Sequence, residues 1–139
     1  MKKQYELPCN IAQSLNIIGD KWTLLILHTI GNGAHTYKEL QECLEGIPTN
    51  LLSKRLKDLC EEGMLSCVLY SQHPPRYQYA LTQKSKDLDD VYNAILLWGD
   101  KHLEKSYKCL THKDKPVKIA YVDYEGRLLS KEELQVKNK

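Results

Sequence analysis

Two hydrophobic patterns follow one another along the chain. Between residues 10 and 62, apolar residues recur every three or four positions, which is typical of amphipathic helices. Between residues 65 and 81 they alternate with polar residues on both sides of the break SQHPPR, which is typical of a β-hairpin. Helical spacing returns from residue 83 to residue 107. The pattern therefore predicts several helices, then a hairpin, then one more long helix.

Three helices are predicted between residues 10 and 44. Residues 10 to 18, NIAQSLNII, form a short one. The next segment, KWTLLILHTI, follows Asp20, which can cap it, and is apolar on nearly all sides, so we expect the central buried helix here. Thr36, followed by Glu39, has the spacing of a capping box and starts the third helix, YKELQECL.

The fourth predicted helix runs from Pro48 towards Gly63 and has two contrasting faces. Its apolar stripe consists of Leu52, Leu56, Leu59 and Cys60. The opposite face carries hydrogen-bond donors and cations, namely Asn50, Ser53, Lys54 and Lys57. Such a face can meet phosphates and base edges in a DNA major groove, although a solvated surface helix can carry the same residues. Whether Pro48 or Thr49 caps this helix stays open.

The order of these elements predicts a winged helix. The turn EGIP leaves only about four residues between the third and fourth helices, as a helix-turn-helix requires. The hairpin follows directly and would be the wing. Its tip, His73 to Arg76, contains two prolines that stiffen the loop beside an arginine suited either to a narrow minor groove or to solvent. We expect a mainly α (α+β) fold, a winged helix-turn-helix with a β-hairpin wing and a long C-terminal helix.

That last helix, over residues 83 to 107, has a wider apolar stripe than one small domain requires. The stripe contains Leu88, Val91, Tyr92, Ile95, Trp98 and Leu103. The helix could simply pack on its own domain. A dimer is favoured, because an exposed apolar stripe of this size would otherwise promote aggregation.

Five stretches between residues 9 and 100 carry a resemblance in unbroken order. They are Cys9, IIGDKWTLLIL from Ile17, YKEL from Tyr37, GIPTNLLSKRLKDLCEEGML from Gly46 and YSQHPPRYQYALT from Tyr70. Together they resemble the HxlR-type transcriptional regulators, relatives of the MarR regulators. The chain departs from common members of that family at Pro48, where many have a serine, and in its long tail after Leu110.

The resemblance implies a dimeric regulator with one helix in the major groove and the hairpin tip in the minor groove. It also implies that Ile11 and Leu15 of the first helix contribute to the dimer interface. The residues we expect to contact DNA are Thr36, Thr49, Asn50, Ser53, Lys54, Arg55, Lys57, His73 and Arg76. Periodicity places Arg55 on the flank of its helix, where it would meet a phosphate and not a base.

The five cysteines are odd in number and form no Cys-x-x-Cys, so we interpret them as reduced thiols. Cys9 stands just before the first helix, near Lys2 and Lys3, where unpaired backbone N–H groups lower a thiol pKa. Some members of the resembled family are redox sensors at this position, which makes Cys9 a redox candidate; the alternative is a quiet, half-buried thiol. On apolar faces, and expected in the core, are Cys43, Cys60 and Cys67.

Other chemistry is weakly indicated. His102, Cys109 and His112 could approach one another, but without a fourth ligand we predict no metal site and no cofactor. No phosphate-cradling glycine loop, nucleophile elbow or paired-carboxylate arrangement indicates an enzyme.

Length and composition set the domain organisation. With 139 residues, 42% of them apolar, the chain can bury one core, and a net charge of +2 does not by itself indicate nucleic acid. We expect a DNA-binding domain with dimerisation helices at residues 1 to 107. An extension at residues 108 to 139 would be part of it or a flexible tail. In the extension, KPVKIAYVDYEGRLL predicts a short hairpin, and Ser130 can start a last helical turn.

The sequence therefore predicts a transcriptional regulator that binds a near-palindromic double-stranded DNA operator as a homodimer. Its control by thiol oxidation or by a small molecule is a further hypothesis. With no apolar run long enough to span a bilayer and no secretory signal, we expect a cytoplasmic protein without membrane contact. The alternative is a winged helix that binds a protein partner and no specific DNA, because fold alone does not determine function.

Overall fold

The computed structural model describes residues 3 to 139, which divide into two compact units. The first unit ends at Leu88, and the second runs from Asp89 to Lys139. Residues 1 and 2 lie outside the described chain, and with them Lys2, expected to lend positive charge to Cys9.

The first unit is built from helices followed by one antiparallel hairpin. Its elements are α1 (Asn10–Ile18), α2 (Thr23–Gly31), α3 (Tyr37–Cys43), α4 (Thr49–Glu61), β1 (Leu65–Gln72), β2 (Pro75–Leu81) and α5 (Gln83–Lys86). This is the order of a winged helix, so the predicted fold class is confirmed. The helix α4 begins at Thr49, with Pro48 in the cap position, which answers the question that the sequence left open.

The core of this unit lies where α2, α3 and α4 meet. The three leucines of the apolar stripe of α4 are inside it, with Leu52, Leu56 and Leu59 at most 1% exposed, whereas Cys60 is half-buried at its edge. From α2, only one side is buried, through Ile26, Leu27 and Ile30, whereas Leu25 is 48% exposed. The expectation that α2 is buried nearly all round is therefore wrong, because the unit packs its helices on one side of α2 only.

The wing is attached at both of its ends to the helices. Its strands pair in the register Leu65↔Leu81 to Gln72↔Pro75, with an irregularity between Leu69 and Ser71. At the base, the Thr82 hydroxyl donates to the Gly63 carbonyl over 2.7 Å. On the second strand, the Tyr79 N–H donates to the His35 carbonyl over 2.8 Å. These contacts hold β2 against the start of α3.

The predicted long C-terminal helix is shorter than expected. Instead of one helix over residues 83 to 107, the chain forms α5 and then α6 (Asp89–His102). The break falls at Leu88, whose N–H donates to the Ser85 carbonyl over 3.2 Å. The Leu88 side chain packs against the core of the first unit, and this packing ends the first helical segment.

The second unit contains α6 and two short hairpins. The strands are β3 (Thr111–His112) with β4 (Lys115–Pro116), and β5 (Tyr121–Val122) with β6 (Leu128–Leu129). The predicted D-Y-E-G turn joins β5 to β6: Gly126 adopts a φ of +85°, and the Asp123 carboxylate accepts from the N–H of Arg127 over 2.9 Å. Ser130 caps a 3-10 turn at Lys131–Glu133, as predicted.

In the part of the chain described, no helix combines the length and the apolar composition of a membrane span.

Candidate functional site

The exposed face of α4 is where the sequence places most of the predicted DNA contacts. Its members Thr49, Asn50, Ser53, Lys54 and Lys57 are all exposed. The start of the helix is held by α3, since the Tyr37 hydroxyl donates to the Thr49 carbonyl over 3.1 Å. The buried leucines on the opposite side fix the rotation of α4, so that this polar face points away from the core.

A groove of about 890 Å³ lies between this face and the wing. Its lining residues are Thr36, Tyr37, Lys38, Ser53, Lys57, Cys60, Cys67, Tyr70, Pro75, Arg76, Tyr77 and Tyr79. Ser53 and Lys57 of α4 thus share one concave surface with Arg76 of the wing. The groove combines three cationic side chains with tyrosines, which can meet both the charged and the apolar parts of a nucleic acid.

Eight of the twelve groove residues were not among the predicted DNA contacts, and Lys38, Tyr70 and Tyr77 are three of them. Lys38 lies in the first turn of α3, and its Nζ is 4.0 Å from the Glu42 carboxylate on the surface. Tyr70 and Tyr77 stand on the two strands of the wing and are 50% and 43% exposed. The alternating pattern of the wing could have indicated the tyrosines, whereas Lys38 needed the position of the third helix beside the groove.

The wing tip differs in detail from its prediction. Arg76 lies within β2, paired with Ser71, and not at the turn itself. The turn is formed by His73 and Pro74, which are joined by a cis peptide bond, and the Ser71 hydroxyl donates to the Pro74 carbonyl over 3.0 Å. His73 is exposed at the tip but does not line the groove.

Arg55 is turned into the protein and away from the exposed face. Its side chain is 18% exposed, with Nη1 donating to Asp58 Oδ2 over 3.3 Å. Its Nε lies 3.3 Å from Asp20 Oδ1, in ion-pair range, although its N–H is not directed at that oxygen. Arg55 therefore joins α4 to the chain segment before α2, and we remove it from the proposed contact set.

Asp20 is the predicted cap of the segment that forms α2; Trp22 occupies the cap position itself, and the Asp20 carboxylate two residues earlier accepts from the N–H groups at the helix start. Its Oδ1 accepts from the Trp22 N–H over 2.9 Å and from the Thr23 N–H over 3.2 Å, and its Oδ2 accepts from the Thr23 hydroxyl. Burial acts to raise the pKa of Asp20. The hydrogen bonds from Thr23 and Trp22, with the charge of Arg55, outweigh burial and hold the pKa below its ordinary value.

Thr36 forms the predicted capping box at the start of α3. Its hydroxyl accepts from the Glu39 N–H over 3.3 Å, and the Glu39 carboxylate accepts from the N–H groups of Thr36 and His35 over 2.9 and 2.7 Å. The hydrogen bonds from His35 and Thr36 lower the pKa of Glu39. Thr36 is half-buried at the edge of the groove, and its observed role is structural.

The predicted dimer residues fall into separate groups. In α1 of the first unit, Ile11 is 72% exposed and Leu15 is 42% exposed. In the second unit the exposed apolar residues include Val91, Ile95, Trp98 and Leu103, at 36%, 50%, 62% and 56%.

The other two predicted dimer residues, Leu88 and Tyr92, are less exposed than these. Leu88 is half-buried and packs against the core of the first unit. Tyr92 is half-buried, and burial together with the neighbouring Asp89 raises its pKa to about 12.

Two expectations about the cysteines are wrong, one about their oxidation state and one about their burial. Cys60 of α4 and Cys67 of β1 form a disulfide and are not both reduced thiols. The sequence gives no sign of this pair, because the two cysteines are seven positions apart and a turn lies between them. Cys43 was expected in the core but is exposed, since it ends α3 off the face that carries Leu40 and Leu44.

Cys9 occupies the cap position of α1 and is exposed. Its thiol forms no cap hydrogen bond, but the backbone N–H groups of Ala12 and Ile11 face the sulfur and lower the pKa of Cys9. The direction agrees with the sequence prediction.

Among residues 3 to 139, no three histidine, cysteine or acidic side chains stand together as a metal site requires.

The comparisons with known proteins agree on one family. Residues 17 to 107 match the family described as HxlR-like helix-turn-helix. The chain is 31% identical over 103 residues to MalR, a candidate regulatory protein of Fusobacterium mortiferum, and the match covers 73% of this chain and 97% of MalR.

Three solved structures, of two proteins, are similar as well. PA1607, described as a candidate transcription factor, superposes with a TM-score of 0.78 at 28% identity, covering 96% of this chain and 97% of its own. The reduced form of the transcriptional regulator YodB from Bacillus subtilis gives a TM-score of 0.58 at 27% identity, covering 70% of this chain and 97% of its own. YodB treated with diamide gives 0.55 at 26% identity, covering 73% and 100%.

Proposed function

This chain belongs to the HxlR-like helix-turn-helix family of transcriptional regulators, and from that membership we propose that it binds a near-palindromic double-stranded DNA operator as a homodimer. Regulators of this kind act by occupying a promoter and not by catalysis. Regulation through such binding requires one surface that meets the DNA, another that joins the two copies, and a signal that changes the affinity.

The groove between α4 and the wing is the observation that carries this proposal. It brings Ser53 and Lys57 of one element together with Arg76 of another. With α4 in the major groove, Lys57 would meet phosphates, while Asn50, Ser53 and Lys54 would reach base edges. Arg76 would then approach the adjacent minor groove from the wing.

A homodimer is supported by the exposed apolar residues of α1 and α6. Trp98 and Ile95 present large side chains to solvent in the single chain, at 62% and 50% exposure. Covering them with a second copy would remove that apolar area from water. In a dimer the two α4 helices would lie about 34 Å apart, so the half-sites would be about one helical turn apart.

Cys9 is the proposed sensor thiol. It is exposed, and backbone N–H groups lower its pKa, which raises the fraction of reactive thiolate. YodB, a regulator to which this chain is similar, has one structure in a reduced form and another after treatment with diamide. We propose residues 1 to 107 as the DNA-binding part and residues 108 to 139 as its extension, in a cytoplasmic protein that shares a compartment with DNA.

Charge reversal tests the DNA surface. The double variant Lys54→Glu with Arg76→Glu should lose at least about tenfold in affinity for duplex DNA, because two cations on the DNA surface become carboxylates that the polyanion repels. Lys137→Glu with Lys139→Glu is the matched control, since it changes the net charge equally on exposed residues at the far end of the chain. If both double variants bind like the parent, and the dimer persists, the groove serves a protein partner instead.

A further inference from the structure

The disulfide between Cys60 and Cys67 links two elements that both line the proposed DNA surface. Cys60 lies in the last turn of α4, and Cys67 is the third residue of β1. Their Cα atoms are 6.3 Å apart, within the range over which disulfides form. The pair is therefore positioned by the packing of the wing base and requires no rearrangement of the backbone to open or close.

The same two cysteines are accessible from outside. Both are only half-buried, and both line the groove that Lys57 and Arg76 also line. A small oxidant or reductant can enter this groove, whereas a thiol enclosed in the core could not be reached. Accessibility and pairing together distinguish this site from a disulfide that only stabilises the fold.

We propose that Cys60 and Cys67 are a redox-active dithiol, oxidised by peroxides, whose disulfide state fixes the first strand of the wing against α4. The inference rests on the proposed function in one respect: a DNA-binding regulator works where thiols are kept reduced, and disulfides there are usually transient. It is independent of Cys9, which lies on a different helix.

The chemistry requires one peroxide and both thiols. One thiolate attacks a peroxide oxygen, which breaks the O–O bond, gives a sulfenic acid and releases hydroxide that is protonated to water. The second thiol then attacks the sulfenic sulfur, forms the S–S bond and releases a second water. Two electrons pass from the sulfurs to the peroxide. A dithiol reductant reverses the reaction by thiol–disulfide exchange.

The consequence concerns the wing. Strand β2 is already held to His35 by a backbone hydrogen bond, whereas the disulfide adds a covalent attachment on β1. Oxidation would thus attach β1 to α4 by a covalent bond and, because β1 pairs with β2, constrain the position of Arg76. Reduction would leave β1 held by its pairing with β2 and by its buried first residue, Leu65, so that the whole hairpin could move more freely relative to α4.

The test uses a variant in which Cys9, Cys43 and Cys109 are serine, so that only the pair remains. After hydrogen peroxide, the folded variant should take up no N-ethylmaleimide, lose two hydrogens in mass and stay a single chain without reductant. After dithiothreitol it should take up two. Thiols that remain alkylatable after peroxide, or a bond that dithiothreitol cannot open in the folded protein, would overturn the proposal.

Amide hydrogen exchange measures whether the disulfide limits the motion of the wing. Amides of residues 65 to 81 should exchange about fivefold more slowly in the oxidised variant than in the reduced one, with the hairpin of residues 121 to 129 as internal reference. The variant Cys60→Ser with Cys67→Ser should show no effect of peroxide on these amides. Equal exchange in the two states of the pair would contradict the proposed fixation of the wing.

A duplex-binding arm separates this inference from the proposed function. If no duplex binds in either thiol state, the proposed function fails, while the alkylation and exchange results still decide the dithiol.

Discussion

The guanidinium of Arg55 fills a space between two carboxylates. Asp20 and Asp58 stand on either side of it at 3.3 Å each, and all three side chains are less than a quarter exposed. Removing one member of such a cluster leaves the others charged and poorly solvated, which costs more than the ion pair itself contributes. The side chain therefore stabilises the position of α4.

Arg55→Met should lower the free energy of unfolding by about 2 kcal/mol, because Asp20 and Asp58 lose their cation. Lys54→Met, one residue away on the exposed face, should change stability by less than about 0.5 kcal/mol. Denaturant unfolding measures both. Duplex binding should show the opposite order: Lys54→Met should lower the affinity and the salt dependence, because it removes a cation from the DNA surface, and Arg55→Met should change neither. A reduced salt slope in Arg55→Met with unchanged stability would return Arg55 to the DNA contacts.

Sequence reasoning at the scale of single residues succeeded where partners are close in the chain. Asp20 was identified as a cap from the segment that follows it, and Thr36 from its spacing to Glu39. The pairing of Arg55 with Asp20 was missed, since it joins residues far apart in sequence. The disulfide could not be predicted although its cysteines are only seven positions apart, because it depends on how β1 folds back beside α4.

The N-terminus of α2 depends on a charged cap. Because hydrogen bonds and Arg55 hold the pKa of Asp20 lower in the folded chain than in the unfolded chain, the unfolded chain binds the proton first as pH falls. The stabilisation is therefore present above the unfolded pKa, about 3.9, and is lost as pH falls through the lower folded value.

Asp20→Asn keeps the capping geometry and removes the charge. Its free energy of unfolding should fall less steeply than the parent's below about pH 4, as measured by urea unfolding between pH 3 and pH 7. Glu45→Gln, an exposed carboxylate in the turn before α4, is the control and should follow the parent. An Asp20→Asn curve parallel to that of the parent would mean that the carboxylate does not contribute in this way.

The helices and strands could be predicted from the sequence where their bounds depend on capping residues and periodicity within the same segment. α1, α3 and α4 begin at the predicted positions to within a residue, and the wing has the predicted strands. The long C-terminal helix was not predicted correctly. Leu88 packs against the core of the first unit, and the helix is interrupted there. Periodicity reports which residues share a face of one helix but not which body that face packs against.

Among the described residues, α1 and α6 both carry large apolar side chains that are exposed in the single chain. Ile95→Glu should convert a dimer into a monomer of 16.1 kDa, because a carboxylate would be buried in the interface. Sedimentation equilibrium measures this, with Val136→Glu as control, since Val136 is fully exposed in the C-terminal segment. A parent chain that sediments as a monomer would contradict the dimer directly.

The central claim is that two copies of the α4 and wing surface recognise one palindromic site. Its most direct measurement is selection from a pool of random duplexes at two salt concentrations, followed by affinity measurements on the recovered sequence. We expect a near-palindrome with half-sites about one helical turn, or about 10 base pairs, apart and an affinity that falls steeply with salt. Recovery of no motif, with weak and salt-insensitive binding, would contradict it.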